Sequence, residues 1–150
     1  MAWALWFGGL GTLLLVVTRL FALNHDMAVK TAPHLFADFE QYQLLLAALA
    51  VVGTALWFAA SRSTRAAALL WMLGLAAISA ILEPLLATNR MQVLLKQGAQ
   101  TSAEFHALHA RAGTLYSIEA VLLLGAGMVL PWALTGRDRV AGTVESPGEM

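Results

Sequence analysis

The sequence contains no cysteine and little charge. Of its 150 residues, 12% are Asp, Glu, Lys or Arg, and the formal net charge is zero. Soluble domains carry about 25% charged residues, so this chain lacks the polar side chains that would cover a surface exposed to water. The missing cysteines exclude disulfides, thiolate metal sites and cysteine nucleophiles. The absence of a basic excess argues against a nucleic-acid partner.

Hydrophobic residues make up 59% of the chain and form four long runs, at 3–23, 44–60, 66–87 and 112–134. Each run is close to the ~20 residues with which a helix crosses about 30 Å of hydrocarbon. The mean hydropathy of +0.71 agrees with a lipid environment. We therefore predict an all-α, integral membrane four-helix up-down bundle over residues 1–134, followed by a disordered polar tail at 135–150.

Start and stop signals indicate where the second and fourth helices begin. Pro33 suits the first position of helix two, and Thr101 with Glu104 three residues later has the spacing of a capping box for helix four. The first turns of both helices are polar, so we predict that both helices extend beyond the bilayer on the same side. Residues 88–97 are predicted to form a short interfacial helix that ends at Gly98.

Four crossings place both chain termini on one side of the membrane, here called the terminal side. The loops between helices one and two and between helices three and four then lie on the other side, here called the loop side. Lys and Arg are slightly more frequent in the terminal-side segments, which predicts cytoplasmic termini. The Ala-, Leu- and Arg-rich composition suggests a bacterial inner membrane. An interfacial belt of tryptophans is expected at the terminal side: Trp3, Trp6, Trp57 and Trp132.

Charged side chains inside the hydrophobic runs are few and lie at roughly one depth. They are Arg19 in helix one, Glu83 in helix three and Glu119 in helix four, with Arg111 two turns above Glu119. An unpaired charge at the bilayer centre costs at least ~2.5–3.5 kcal/mol. We therefore expect these four residues to face the interior of the bundle as a buried ionic cluster. Such a cluster either fixes the helix register or serves as a relay for protons or ions.

All four histidines fall on the loop side: His25, His34, His106 and His109. His106 and His109 are three residues apart and share one helix face. Imidazole ligands suit Zn²⁺, Cu²⁺ or haem iron, but no established binding motif is present, and polar caps at helix ends explain the same residues. A polar approach to the bundle is expected at Asp38, Glu40 and Arg90.

Several short motifs resemble the transmembrane protein 205-like domain family, a group of small four-helix membrane proteins without an assigned activity. The motifs are Pro33-His34-Leu35-Phe36, Leu82-Glu83-Pro84, Arg90-Met91, Phe105-His106 and the stretch from His109 through Ala110-Arg111-Ala112-Gly113. The chain is more weakly similar in layout to copper-resistance D-type membrane domains and to the four-helix protoporphyrinogen oxidase, which uses haem. The resemblance implies an architecture rather than a reaction, and the weaker similarity favours the metal or haem alternative.

No phosphate-binding glycine loop, nucleophile elbow or catalytic triad spacing occurs in the sequence. We therefore predict a non-enzymatic membrane protein without a cofactor, acting as a structural or accessory subunit of a larger membrane complex or as a homo-oligomer. One alternative is a membrane protein that binds haem or a divalent metal through its histidines. A second alternative is a proton-coupled carrier that uses Glu83 and Glu119.

Overall fold

The computed structural model describes residues 1–135 as a chain of helices. Apart from Thr135, the residues of the predicted disordered tail lie outside the described residues. The elements are α1 (Ala2–Leu23), α2 (His25–Ser61), α3 (Thr64–Glu83), a π-helical turn (Pro84–Thr88), α4 (Asn89–Lys96) and α5 (Ala103–Thr135). Residues 1–135 contain no strand.

Four helical segments are long and apolar enough to cross a membrane: α1, α2, α3 with its continuation to Lys96, and α5. Large apolar side chains cover the outside of the bundle. Trp71, Val121 and Met128 are 72%, 69% and 75% exposed. In water such a surface would be strongly unfavourable, whereas lipid solvates it. The prediction is confirmed: the protein is an all-α integral membrane four-helix bundle.

Helix α2 begins at His25, eight residues before the predicted start at Pro33. The Asn24 side chain accepts a hydrogen bond from the backbone N–H of Met27 at 3.0 Å and caps the helix, and Pro33 lies inside it. The predicted start was wrong because a side-chain cap satisfies a free backbone donor, which a proline at the first position cannot do. With 37 residues, α2 exceeds the ~20 needed to span the bilayer and extends beyond it.

The segment at 88–97 is a continuation of α3 rather than a separate interfacial helix. Pro84–Thr88 forms a single π-helical turn, in which the N–H of Asn89 donates to the carbonyl of Pro84, and α4 follows without a break. A π-helical turn inserts one extra residue into a helix and leaves the helix continuous. Gly98 adopts a φ of +70° directly after α4, so the predicted stop at this glycine is confirmed.

Helix α5 begins at Ala103, one residue later than a cap at Thr101 predicts. The Ser102 hydroxyl accepts from the backbone N–H of Phe105 at 3.2 Å and occupies the capping position that Thr101 was expected to hold. Glu104 does not complete a capping box with Thr101. Its carboxylate forms an ion pair with Arg90 at 2.7 Å instead, which joins α4 to α5 on the loop side.

Along the bundle axis, the start of α1 lies beside the middle part of α5 rather than beside its last residues. The indole Nε1 of Trp3 donates to the Leu123 carbonyl at 2.7 Å, and α5 continues for twelve more residues, about 18 Å. Trp6 lies in the core with no exposed surface. The expected position of Trp6 in an interfacial belt is therefore wrong, and the belt at Trp3, Trp57 and Trp132 stays a prediction. A groove of about 270 Å³ lies next to the start of α1, and Trp57, Leu69 and Leu130 are among the residues that line it.

Candidate functional site

Three glutamates from three different helices meet inside the bundle. Glu83 at the end of α3 is 2% exposed, Glu119 in the middle of α5 is 1% exposed, and Glu40 of α2 is partly exposed. These three residues are called the carboxyl cluster below. Among residues 1–135 no Lys or Arg side chain is buried, so the cluster has no cationic partner within the core that the structure describes.

Two nitrogen donors hold the carboxyl group of Glu119. The indole Nε1 of Trp6 donates to Oε1 at 2.8 Å, and the amide Nε2 of Gln43 donates to Oε2 at 2.9 Å. Trp6 and Gln43 are 0% and 1% exposed, so neither can exchange this bond for one with bulk water. Both oxygens of Glu119 therefore have a fixed donor, and the position of this carboxyl group is set by α1 and α2 together.

The π-helical turn provides the donor for Glu83. The Thr88 hydroxyl donates to Glu83 Oε1 at 2.7 Å, although the two residues are five apart. In an α-helix, residues five apart point about 140° away from each other, whereas the wider π-helical turn brings them onto one face. The extra residue in Pro84–Thr88 therefore turns the Thr88 hydroxyl toward the carboxyl cluster.

Glu40 and Tyr116 complete the cluster around Glu83. Both side chains lie near enough to the Glu83 carboxyl group to interact with it electrostatically, and Thr88 also lies near Glu40. Four buried polar atoms in the described part of the chain have no hydrogen-bond partner: Glu40 Oε1, Gln43 Oε1, Glu83 Oε2 and Tyr116 Oη. All four belong to this one region of the bundle. Three are acceptors and only the Tyr116 hydroxyl can donate, so donors remain fewer than acceptors.

This shortage of donors determines what the site can do chemically. An ionised carboxylate only accepts hydrogen bonds, and two facing carboxylates cannot bond to each other unless one of them carries a proton. Several carboxylates in a low-dielectric interior without a cation also cannot all be charged at once. The arrangement therefore suits a site at which protons are held by carboxyl groups.

The structure does not bring the two predicted arginines into the cluster. The side chains of Arg19 and Arg111 are both exposed, and neither forms a salt bridge with Glu83 or Glu119 in the part of the chain described. This part of the prediction is wrong because a long arginine side chain near a helix end can carry its charge outward to the interface instead of pairing in the core. Glu83 and Glu119 are buried together, as expected.

The four histidines do not assemble into one group. Their side chains are all exposed: His25, His34, His106 and His109. His25 packs against Phe21, and His106 and His109 pack against Phe105. Residues 1–135 contain no group of three His, Asp or Glu side chains placed to hold a metal ion. Binding of haem or a divalent metal stays a prediction, which an absorbance spectrum and elemental analysis of the purified protein would test.

The predicted polar approach is divided between two places. Asp38 and Arg90 are exposed on the loop side, whereas Glu40 belongs to the carboxyl cluster. Through its hydrogen bond and its charge, Arg90 holds the pKa of Glu104 below its usual value. The same hydrogen bond, together with the negative charge of Glu104, raises the pKa of Arg90.

Sequence reasoning missed four members of the site: Trp6, Gln43, Thr88 and Tyr116. A usable signal existed for two of them, because Gln43 is three residues from Glu40 and Tyr116 is three residues from Glu119, a spacing that places side chains on one helix face. Thr88 gave no signal, since only the π-helical turn aligns it with Glu83. Trp6 looked like an interfacial anchor because of its position near the chain start.

Comparisons with protein-family models, curated proteins and solved structures find no match to this chain. The resemblance to the transmembrane protein 205-like domain family stays a prediction.

Proposed function

We propose that this protein is a small, non-enzymatic integral membrane protein that takes up and releases protons at the carboxyl cluster, as a proton-coupled carrier does. The observation that carries the proposal is the set of buried oxygens of Glu40 and Glu83 that lack a hydrogen-bond donor, in a core without a buried cation among residues 1–135. Protons are the smallest ligands that supply both the missing donors and the missing positive charge.

A purely structural role accounts less well for the same residues. Buried polar groups that fix helix register are usually fully paired, because an unpaired one costs stability. Here three acids share one site and two of them keep an unpartnered oxygen. Ionisable groups within membrane helices generally mark pathways for protons or ions. We take the incomplete pairing as support for a site whose protonation changes during function.

One chain of four helices is small for a carrier. We therefore propose that the protein works as a homo-oligomer or as an accessory subunit of a larger membrane complex. Large apolar side chains such as Trp71, Val121 and Met128 remain exposed on the outer surface. They would contact lipid in the single chain and another transmembrane helix in an assembly.

Replacing Glu119 by glutamine is expected to abolish proton movement while leaving the fold intact. Glutamine keeps the shape of the side chain and an oxygen for Trp6, but it cannot exchange a proton near neutral pH. Vesicles containing the purified protein would be given a pH gradient, and proton flux followed with an enclosed pH-sensitive dye. Loss of a positioned proton-transfer group typically costs about 10²–10⁴ in rate, so we expect a drop of at least about a hundredfold.

The matched control is Glu104→Gln, the same change at an exposed residue of the same helix. Its flux should equal that of the unchanged protein. Equal flux in Glu119→Gln would rule out the role of Glu119, and absence of flux in the unchanged protein would rule out the carrier.

We also propose that the protein lies in a bacterial inner membrane with cytoplasmic termini. The turn between α2 and α3 and the first turn of α3 carry Arg62 and Arg65. The Arg65 guanidinium lies 4.1 Å from the ring centre of Trp132 near the end of α5. Arginine next to tryptophan is typical of a membrane–water interface. The arginines of this turn favour the cytoplasmic side.

The absence of cysteine allows a direct test of this orientation. Single cysteines would be placed at Ser61 and at Gln100, which are both exposed at opposite ends of the bundle. Intact cells would then be treated with a maleimide that cannot cross the membrane. We expect Gln100→Cys to be labelled in intact cells and Ser61→Cys to be labelled only after lysis. The reverse pattern would place the termini outside.

A further inference from the structure

We infer that Glu40 is the residue through which the carboxyl cluster exchanges protons with water on the loop side. This inference deepens the proposed function and rests on it. It concerns the route by which protons arrive, whereas the proposed function concerns the capacity of the cluster to hold and release them.

Burial distinguishes Glu40 from the other two acids. Glu83 and Glu119 are 2% and 1% exposed, so neither carboxyl group reaches the surface. The Glu40 side chain is partly exposed, yet its Oε1 atom is buried and has no hydrogen-bond partner. Glu40 is therefore the member of the cluster whose side chain extends from the surface of the bundle into its interior.

The opposite direction is closed by apolar side chains. Trp6, Leu10 and Leu123 are 0%, 1% and 0% exposed and lie in one continuous core. Leu123 is one helical turn from Glu119 toward the terminal side, and Trp6 donates its only side-chain N–H to Glu119. Side chains of this kind carry no exchangeable proton onward. In this conformation the cluster therefore has no polar route to the terminal side, and release of protons toward that side requires the helices to move.

The oxygens without a hydrogen-bond partner indicate how a proton passes from Glu40 to Glu83. Both oxygens of Glu119 and one oxygen of Glu83 already accept hydrogen bonds. The remaining buried acceptors on acids are Glu40 Oε1 and Glu83 Oε2, and these two carboxyl groups lie near enough to interact electrostatically. A proton that arrives on the Glu40 carboxyl group can thus pass to Glu83, with the Tyr116 hydroxyl as the next neighbour.

No other charged group in the described structure offers a competing route at this point. From α3 and the π-helical turn, Glu83 and Thr88 lie near Glu40, and from α5 Tyr116 lies near it. The one titratable side chain of α1, Arg19, is exposed, and so is Asp38 on the same helix as Glu40. Exchange with water should therefore depend on the Glu40 carboxyl group.

Time-resolved infrared spectroscopy after a pH jump tests this route in detergent-solubilised protein. The carbonyl band of protonated carboxyl groups reports proton arrival at Glu83 and Glu119 without any need for transport. Glu40→Gln should slow this response by about a hundredfold or more, and Glu40→Asp should restore most of the rate because it keeps a carboxyl group. The matched control, Asp26→Asn, changes an exposed acid of the same helix and should respond like the unchanged protein.

The outcomes separate the two proposals. A response of Glu40→Gln as fast as that of the unchanged protein would overturn the route through Glu40 and leave the proposed function standing. If Glu40→Gln does not fold, a Glu40→Asp response slower than that of the unchanged protein by a small factor supports the route, and a response of identical rate and amplitude opposes it. A carbonyl band that never changes with pH in the unchanged protein would contradict the proposed function itself.

Discussion

Replacing Trp6 by alanine is expected to lower the free energy of unfolding by about 3 kcal/mol, the lower end of the range for a buried tryptophan. The lower end applies because helices in lipid or detergent pack without the hydrophobic driving force that water provides. Burying an apolar side chain between them therefore gains less free energy. Trp6 has no exposed surface, so the change leaves a cavity between helices. It also removes the 2.8 Å bond to Glu119. Denaturant titration of the protein in detergent micelles would measure the loss.

Two companion variants separate packing from hydrogen bonding in this prediction. Trp6→Phe keeps most of the ring but lacks the N–H donor, and should cost about 1 kcal/mol. Trp71→Ala removes a tryptophan that is 72% exposed and should have little effect. If Trp6→Ala were as stable as Trp71→Ala, the assigned place of Trp6 in the core would be wrong.

Replacing Gly127 by alanine is expected to lower the free energy of unfolding by about 1–3 kcal/mol, as overpacked cores generally do. A Cβ atom at this position would overlap the indole ring of Trp3. The ring cannot move freely, because its Nε1 atom donates to the Leu123 carbonyl at 2.7 Å and it stacks on Phe7. The start of α1 would have to shift away from α5. Thermal unfolding in detergent would show the change.

The control for this prediction is Gly125→Ala, two residues earlier in the same helix. There a Cβ atom would meet the Met72 side chain at 3.6 Å, an ordinary contact. Because alanine is a better helix former than glycine by about 1 kcal/mol, this variant should be neutral or more stable. Trp3→Phe in the Gly127→Ala background should recover stability by shortening the ring. Equal stability of the two alanine variants would refute the close approach of Trp3 to α5.

The membrane fold could be predicted because it depends on properties that are local in the chain. Runs of apolar residues long enough to span a bilayer require helices, since a backbone in lipid must satisfy its own hydrogen bonds. The stop at Gly98 was equally local, because its φ of +70° suits glycine. Helix starts were less secure: the sequence was interpreted with a start at Pro33, whereas the helix begins after Asn24, whose side chain caps it.

The membership of the site could be predicted only in part. Glu83 and Glu119 stood out as acids in apolar runs, and their burial follows from the cost of exposing charge to lipid. The pairing with Arg19 failed because charge balance along the sequence does not fix the direction of a flexible side chain. Glu40 was expected at the surface since its neighbours along the chain are polar, and its contact with Glu83 depends on how α2 packs against α3.

The sequence by itself determined that this chain enters a membrane as four helices and that its buried charges are few. Only the tertiary structure decided which of those charges meet. That choice depends on the level at which α1 meets α5 and on one extra residue in the π-helical turn that aligns Thr88 with Glu83. Both are properties of helices packed against each other, so neither has a signature in local composition or spacing.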